Sequence, residues 1–363
     1  MVTKEQIEKI VRLTVEQVSG GSAEKNETAG NGEGWLFERP EDCVRAAAAA
    51  QKELVRMSME AREGLIRAMR QAAVENAEKL ARMAHEETGY GKVPDKIRKI
   101  LLAANKTPGT EDIVPGVFTG DCGMTLVEPA PYGVIGSITP STNPPSTIIN
   151  NSISMIAAGN AVVFQPHPAA KSCPQETMRI LNAAITAAGG PLGLICCPKE
   201  PDMKTSEIIM NHPDIKLLSV TGGEGVVKTA MRTGKKCISA GPGNPPVIVD
   251  ETADIPKAAR DIVNGASFDN NVLCVAEKEC FVVHTVLDRL LDEMQRNGAW
   301  LIRGEDIEKI VRTVLVPKDG GYVINRKFVG HDATYIMDQA GVSYQGNPRL
   351  VIAEVPKNHP FVT

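Results

Sequence analysis

Short β-branched runs alternate with helix-like stretches from Tyr132 onward, and any fold for this chain has to accommodate that alternation. The runs are GVIGSIT at 133–139, AVVF at 161–164, LICC at 194–197, IKLLSV at 215–220 and PVIV at 246–249. Helical segments are expected between them, near 146–158, 173–188, 203–211 and 224–232. Such repetition implies an α/β architecture with a parallel, doubly wound sheet, in which ligands bind at the carboxyl ends of the strands. The loops after the runs are therefore where chemistry is sought. A second α/β unit begins near Asp250, with a helix over 255–268, a loop carrying Cys274, a strand at Phe281-Val282-Val283, a helix over 286–297 and a last strand at 349–355. At about 150 residues per domain, 363 residues suffice for two cores, expected over 35–249 and 250–363.

Upstream, Pro40 to Thr88 is rich in Ala, Glu, Arg and Met, with helical spacing broken near Ser58 and ended at Thr88-Gly89. Two or three helices follow from that composition. Met124, Leu126 and Glu128 alternate ahead of Pro129-Ala130-Pro131, the pattern of a hairpin strand at an edge or interface within 117–130. At the start of the chain, residues 3–18 place Ile7, Ile10, Val11, Val15 and Val18 on one helical stripe. The Gly-rich, charged segment 19–34 has the composition of a flexible linker. A helix tethered in this way either docks on its own domain or serves as an address tag for a partner.

Forty Lys and Arg against 44 Asp and Glu leave a net charge of -4, and aromatic residues are 4% of the chain. That balance argues against a nucleic-acid partner, which calls for a basic stripe and stacking platforms. No apolar run reaches the roughly 20 residues of a membrane span, so a cytosolic setting with reduced thiols is expected. The eight cysteines include no C-x-x-C pair, and no structural metal is expected.

Among the loops, Thr139-Pro140-Ser141-Thr142-Asn143 is followed by Pro144-Pro145. An Asn held between prolines can aim its amide at a developing oxyanion, although such a loop can equally be a plain turn. Gln165-Pro166-His167-Pro168 falls where the adenosine of a dinucleotide would lie. Thr221-Gly222-Gly223 leaves a strand and enters a helix, so its backbone N–H groups can approach a phosphate. Ala240-Gly241 opens a second glycine-rich turn toward the same edge. Cys274 lies in a loop after a helix, with the access a nucleophile needs. Cys196, Cys197 and Cys280 read as apolar filler in strands. Cys173 remains a rival, because Lys171 and a helix N-terminus would both favour its thiolate.

The segments TPSTNPPSTIINNSISMIAAGNAVVFQPHPAAK (139–171), VTGGEGVV (220–227), SAGPGNPPVIVDETAD (239–254) and NGASFDNNVLCVAEK (264–278) resemble the CoA-acylating aldehyde dehydrogenases of bacterial microcompartments. The resemblance extends over essentially the whole chain and implies an aldehyde-dehydrogenase-like fold. It also implies Cys274 as nucleophile, and Asn143 with the Cys274 backbone N–H as oxyanion donors. NAD is the implied cofactor, held by residues 139–141, 165, 167, 168, 221–223, 240 and 241; NADP is not distinguished. The reaction implied converts acetaldehyde or propionaldehyde and CoA to acyl-CoA.

Two departures from hydrolytic relatives favour thiolysis. Ala240 stands where those enzymes carry the glutamate that activates water, and Gln165 and Pro168 replace a Lys and a Glu that hold the adenosine ribose. The helix at 3–18 resembles an encapsulation peptide, which favours the tag reading, a shell-protein partner and a place inside a microcompartment. A homo-oligomer is expected for the family. Family members also continue past HPFVT, so the catalytic domain at 250–363 is expected to be incomplete. Alternatives are an inactive cargo or scaffold protein and a hydrolytic or phosphorylating semialdehyde dehydrogenase.

Overall fold

A computed structural model of the protein describes residues 34–241, 243–318 and 320–362. The expected helix at 3–18 and all of the linker but Gly34 lie outside the described residues. Three helices occupy the Ala-rich stretch, α1 (Pro40–Leu54), α2 (Met59–Glu75) and α3 (Ala77–Thr88), and a fourth follows as α4 (Val93–Lys106). Ser58 accepts a hydrogen bond from Ala61 N at the start of α2, which is why helical spacing breaks there. A short strand β1 (Leu36–Phe37) precedes these helices, and an antiparallel hairpin of β2 (Gly116–Gly120) and β3 (Gly123–Val127) follows them.

The alternating region then builds β4 (Val134–Ile138), α5 (Pro144–Ala157), β5 (Ala161–Gln165), α6 (Ser172–Ala187), β6 (Ile195–Pro198), α7 (Met203–Asn211), β7 (Ile215–Thr221), α8 (Glu224–Arg232) and β8 (Lys236–Ala240). Six strands form one sheet in the order β1-β6-β5-β4-β7-β8, and every neighbouring pair is parallel. β4 and β5 are buried along their whole length, which accounts for unbroken apolar runs in place of alternation. At about 1.5–3 kcal/mol per fully buried aliphatic side chain, these strands and the helices packed on them dominate the stability of the large core between Trp35 and Ala230. After β4 the chain winds to one side of the sheet through β5 and β6, then returns through α7 to place β7 on the other flank of β4. The reversal opens a crevice outside the carboxyl ends of β4 and β7, where a doubly wound sheet receives its ligand.

Beyond this sheet come β9 (Pro246–Val249), α9 (Ile255–Ser267), β10 (Glu279–Val282), α10 (His284–Arg296), β11 (Ala299–Ile302), α11 (Glu305–Val314), β12 (Leu315–Lys318), β13 (Gly321–Ile324), α12 (Ala333–Ala340) and β14 (Leu350–Ala353). The run PVIV, expected among the strands of the large sheet, instead pairs as β9 with β10 in a separate two-stranded sheet. The sheet edge it would have taken belongs to β8, whose mixed sequence KCISA gives no apolar signal. The elements β11, α11, β12, β13 and α12 were not expected from the sequence pattern. Two small apolar clusters serve this part of the chain, one around Val249, Val263 and Leu290 and another around Ile302, Ile310 and Met337. No helix among the described residues is long and apolar enough to cross a membrane.

Candidate active site

The crevice is framed first by the loop after β4. The N–H of Thr139 donates to the carbonyl of Gln165 at 3.1 Å and extends the β4–β5 pairing by one residue. Asn143 caps α5, whose first turn is set by Pro144 and Pro145. Its amide nitrogen donates to Thr142 Oγ1 at 3.2 Å. Asn143 Oδ1 and Thr139 Oγ1 are both buried and have no partner among the described residues. Orphaned buried polar atoms are rare and costly, so two of them on one loop suit a polar ligand or ordered water. Pro140 and Ser141, half-buried beside them, complete the loop.

Across the crevice, β7 runs through Thr221 into Gly222 and Gly223, and Gly223 is the N-cap of α8 with no side chain to satisfy the first N–H groups. Those donors at the positive end of the helix suit a pyrophosphate. Gly222 N donates to the Ala240 carbonyl at 3.1 Å, which brings the exits of β7 and β8 together. The arrangement of orphaned polar atoms and free helix N–H groups therefore fits a dinucleotide such as NAD. In the loop after β5 the side chain of Gln165 is engaged elsewhere. Its amide donates to the Asp202 carbonyl and to Thr205 Oγ1, both at 2.9 Å, and so supports the capping box of α7. His167 and Pro168 are the exposed part of that loop. Desolvation on its inner side, and then the charge of Arg326, push the His167 imidazole below its ordinary pKa.

Ala240 and Gly241 lead toward the thiol. A Cβ on Gly243 would come within 2.3 Å of the Cys274 carbonyl oxygen, so only glycine permits this approach. Lys278 N donates to the Pro245 carbonyl at 3.2 Å, a second tie between the same two segments. Cys274 is exposed. The ammonium of Lys278 donates to the carbonyls of Leu273 (2.9 Å) and Ala276 (3.1 Å). Burial lowers the pKa of Lys278, and negative charge on Cys274 opposes that shift. Asn143 and Cys274 share no hydrogen bond among the described residues; they stand on separate loops.

Cys173 does begin a helix, but it is fully buried and its thiol donates to the Leu80 carbonyl at 3.4 Å. Burial, and after it the charge of Glu87, push that thiol up to about 12. Cys196 and Cys197 are buried as expected, whereas Cys280 is exposed on β10, because the two-stranded sheet has little to cover it.

Sequence reasoning missed α4 and what it carries. Pro94 near its start, Asp95 in the first turn and the Ile97, Ile100, Leu101, Ala104 stripe were the available signals. Lys96 and Lys99 are 3% and 7% exposed, and both contact Asp269, which is 0% exposed. Asp269, Asn270 and Asn271, just before Cys274, all have left-handed φ of 48°, 53° and 61°.

The aldehyde dehydrogenase family profile matches residues 37–313. The chain is 44% identical over 360 residues to the acetylating acetaldehyde dehydrogenase EutE of Salmonella typhimurium, covering 98% of this chain and 75% of that one. A propionaldehyde dehydrogenase from the fucose-utilisation microcompartment of Clostridium phytofermentans has a similar structure, with a TM-score of 0.86 and 47% identity over 90% of this chain and 74% of that one. So does the propionaldehyde dehydrogenase of Rhodopseudomonas palustris, solved with bound CoA and an acylated cysteine, at a TM-score of 0.86 and 43% identity over 91% and 75% of the two chains. The chain belongs to the aldehyde dehydrogenase family.

Proposed function

We propose that this protein is a CoA-acylating aldehyde dehydrogenase that converts a short aldehyde, CoA and NAD to acyl-CoA and NADH. The observation that carries the reading is the exposed Cys274, packed against a turn that begins with alanine where a hydrolytic enzyme needs its base. In this scheme the thiolate attacks the aldehyde carbon. The oxyanion that forms is stabilised by the Asn143 amide and the Cys274 backbone N–H. A bound nicotinamide supplies the hydride acceptor. Loss of hydride from the carbon leaves an acyl thioester on Cys274, and attack by the CoA thiol releases acyl-CoA and frees the cysteine. A thiol with a pKa of about 8.5 supplies some thiolate near neutral pH, whereas water is a far weaker acid and needs a base. Lack of a carboxylate at position 240 therefore costs thiolysis little and hydrolysis much. Residues 139–141, 221–223, 240 and 241 bind the cofactor, with His167 and Pro168 at its adenosine end, and NADP is accepted if the ribose pocket admits a phosphate.

The test is NADH formation from propionaldehyde or acetaldehyde with and without CoA. Turnover that requires CoA supports the reading; turnover indifferent to CoA refutes acylation, and a requirement for inorganic phosphate would indicate a phosphorylating enzyme. We further infer that residues 35–249 bind the cofactor and 250–363 form the catalytic part. The hairpin β2–β3, with Val117, Phe118, Met124, Leu126 and Val127 exposed, supports self-association. The stripe on residues 3–18, together with the microcompartment relative, supports docking to a shell protein. Pull-down of a shell protein by residues 1–33 fused to a carrier checks it.

A further inference from the structure

We propose that Asp269 is a positioning residue for Cys274: its carboxylate, gripped by Lys96 and Lys99 of α4, holds the left-handed turn that delivers the thiol. The inference rests on Cys274 being the nucleophile proposed above.

Asp and Asn visit the left-handed region as single residues, not as runs, so three in succession at 269–271 need outside support. That support comes from segments distant in sequence. Asp269 Oδ1 accepts from the Lys92 N–H at 2.7 Å, and Oδ2 accepts from the ammonium groups of Lys96 at 3.2 Å and Lys99 at 2.5 Å. The Asp269 N–H donates to Asp95 Oδ2 at 2.9 Å. Lys99 also donates to the Val272 carbonyl at 3.2 Å, so one ammonium holds both ends of the turn. Asn271 closes the far side through the carbonyls of Ala266 and Glu277 at 2.8 and 3.1 Å. Gly91 shapes the seat: it has φ +66°, and a Cβ there would lie 1.9 Å from Asp269 Oδ1.

The buried part of the cluster sets Asp269 against Lys96 and Lys99, and Asp95 at its rim pairs with Arg98 at 3.6 Å. A buried ion cluster resists displacement, because moving one member strands another without a partner. Cys274 makes no side-chain hydrogen bond among the described residues, so its place follows from the backbone, fixed by Gly243 on one side and by this turn on the other. A shift of about 1 Å at a reacting atom can cost about a hundredfold in rate.

The 363-residue chain carrying Asp269→Asn together with Lys99→Met leaves the net charge of the cluster unchanged and separates positioning from stability. Two readouts are followed: iodoacetamide labelling of Cys274 relative to exposed Cys122, measured by peptide mass spectrometry, and the kcat and KM of NADH formation. Positioning predicts a Cys274 to Cys122 labelling ratio at least about fivefold lower, as the loop that presents the thiol shifts toward Gly243 and covers it. It also predicts kcat about tenfold lower with aldehyde KM within about threefold. A folded double variant with both the ratio and kcat within about twofold of the parent overturns the proposal. Should the double variant not fold, Lys96→Gln, which leaves the Lys99 contact in place, decides by the same criteria. If the parent makes no NADH from aldehyde and CoA, the functional reading fails, while the labelling ratio still decides whether Asp269 places the thiol.

Discussion

Cys173 and Cys274 each have a lysine close by in sequence, yet the fold gives them opposite chemistry. Cys173 has the helix N-terminus usually invoked to activate a thiol, but Glu87 from α3 already occupies it. The Glu87 carboxylate accepts from the N–H groups of Lys171 (2.9 Å), Ser172 (2.7 Å) and Cys173 (2.9 Å). The positive end of α6 is spent on a carboxylate, and the thiol lies in the core. Cys274 has no helix dipole, but it has access and the ammonium of Lys278. Access, rather than helix position, distinguishes the exposed thiol from the packed one.

The largest expected effect follows directly. Cys274→Ser should lower NADH formation by at least about 10³-fold, whereas Cys173→Ala should leave turnover within about twofold of the parent. Comparable losses in both variants, at equal melting temperature, would break the distinction.

A second comparison concerns what keeps Cys173 silent. Burial comes first among the causes of its raised pKa and Glu87 second. Glu87→Gln removes the charge and weakens the cap, an expected loss of about 1–2 kcal/mol in urea unfolding. Because burial persists, Cys173 should still resist iodoacetamide in the native variant at pH 8. Rapid labelling there would show that charge, and not burial, was decisive.

The same contrast explains what could be read from the sequence. The central strands of the large sheet were legible because β4, β5 and β6 are buried over their full lengths and so appear as apolar runs, whereas the edge strands β1 and β8 gave no such signal. Helices α7 and α8 fell at their expected residues because polar or glycine caps bound them. Beyond Val249 the clusters are small and strands such as β10 and β13 are largely exposed, so β12 and β13 carry weak patterns. At the site, Cys274 and Asn143 were singled out through motif and resemblance. The support beneath Cys274 was not, because Lys96 and Lys99 read as solvated charges and become meaningful only once Asp269 arrives from about 170 positions away. A buried ion cluster made of distant residues leaves no local periodicity.

The smallest expected effect tests the outer face of α6, whose first turn carries the buried Cys173. Glu176 accepts from Arg179 on its own helix and from Lys79 on α3, and these contacts, led by Arg179, hold its carboxyl at about 2 against an ordinary 4.5. The folded value is the lower one, so this group's stabilisation is complete above about pH 4.5 and is lost as pH falls toward 2. Lys79 is about half exposed, so solvent screening reduces the expected contribution to about 1 kcal/mol. Glu176→Gln should therefore lower stability by about that amount at pH 7 and flatten the acid limb of a melting-temperature profile between pH 4.5 and 2.5. An unchanged acid limb would mean that the ion pair adds nothing measurable. The α3–α6 contact that seats Glu87 on the helix N-terminus would then rest on its apolar packing alone.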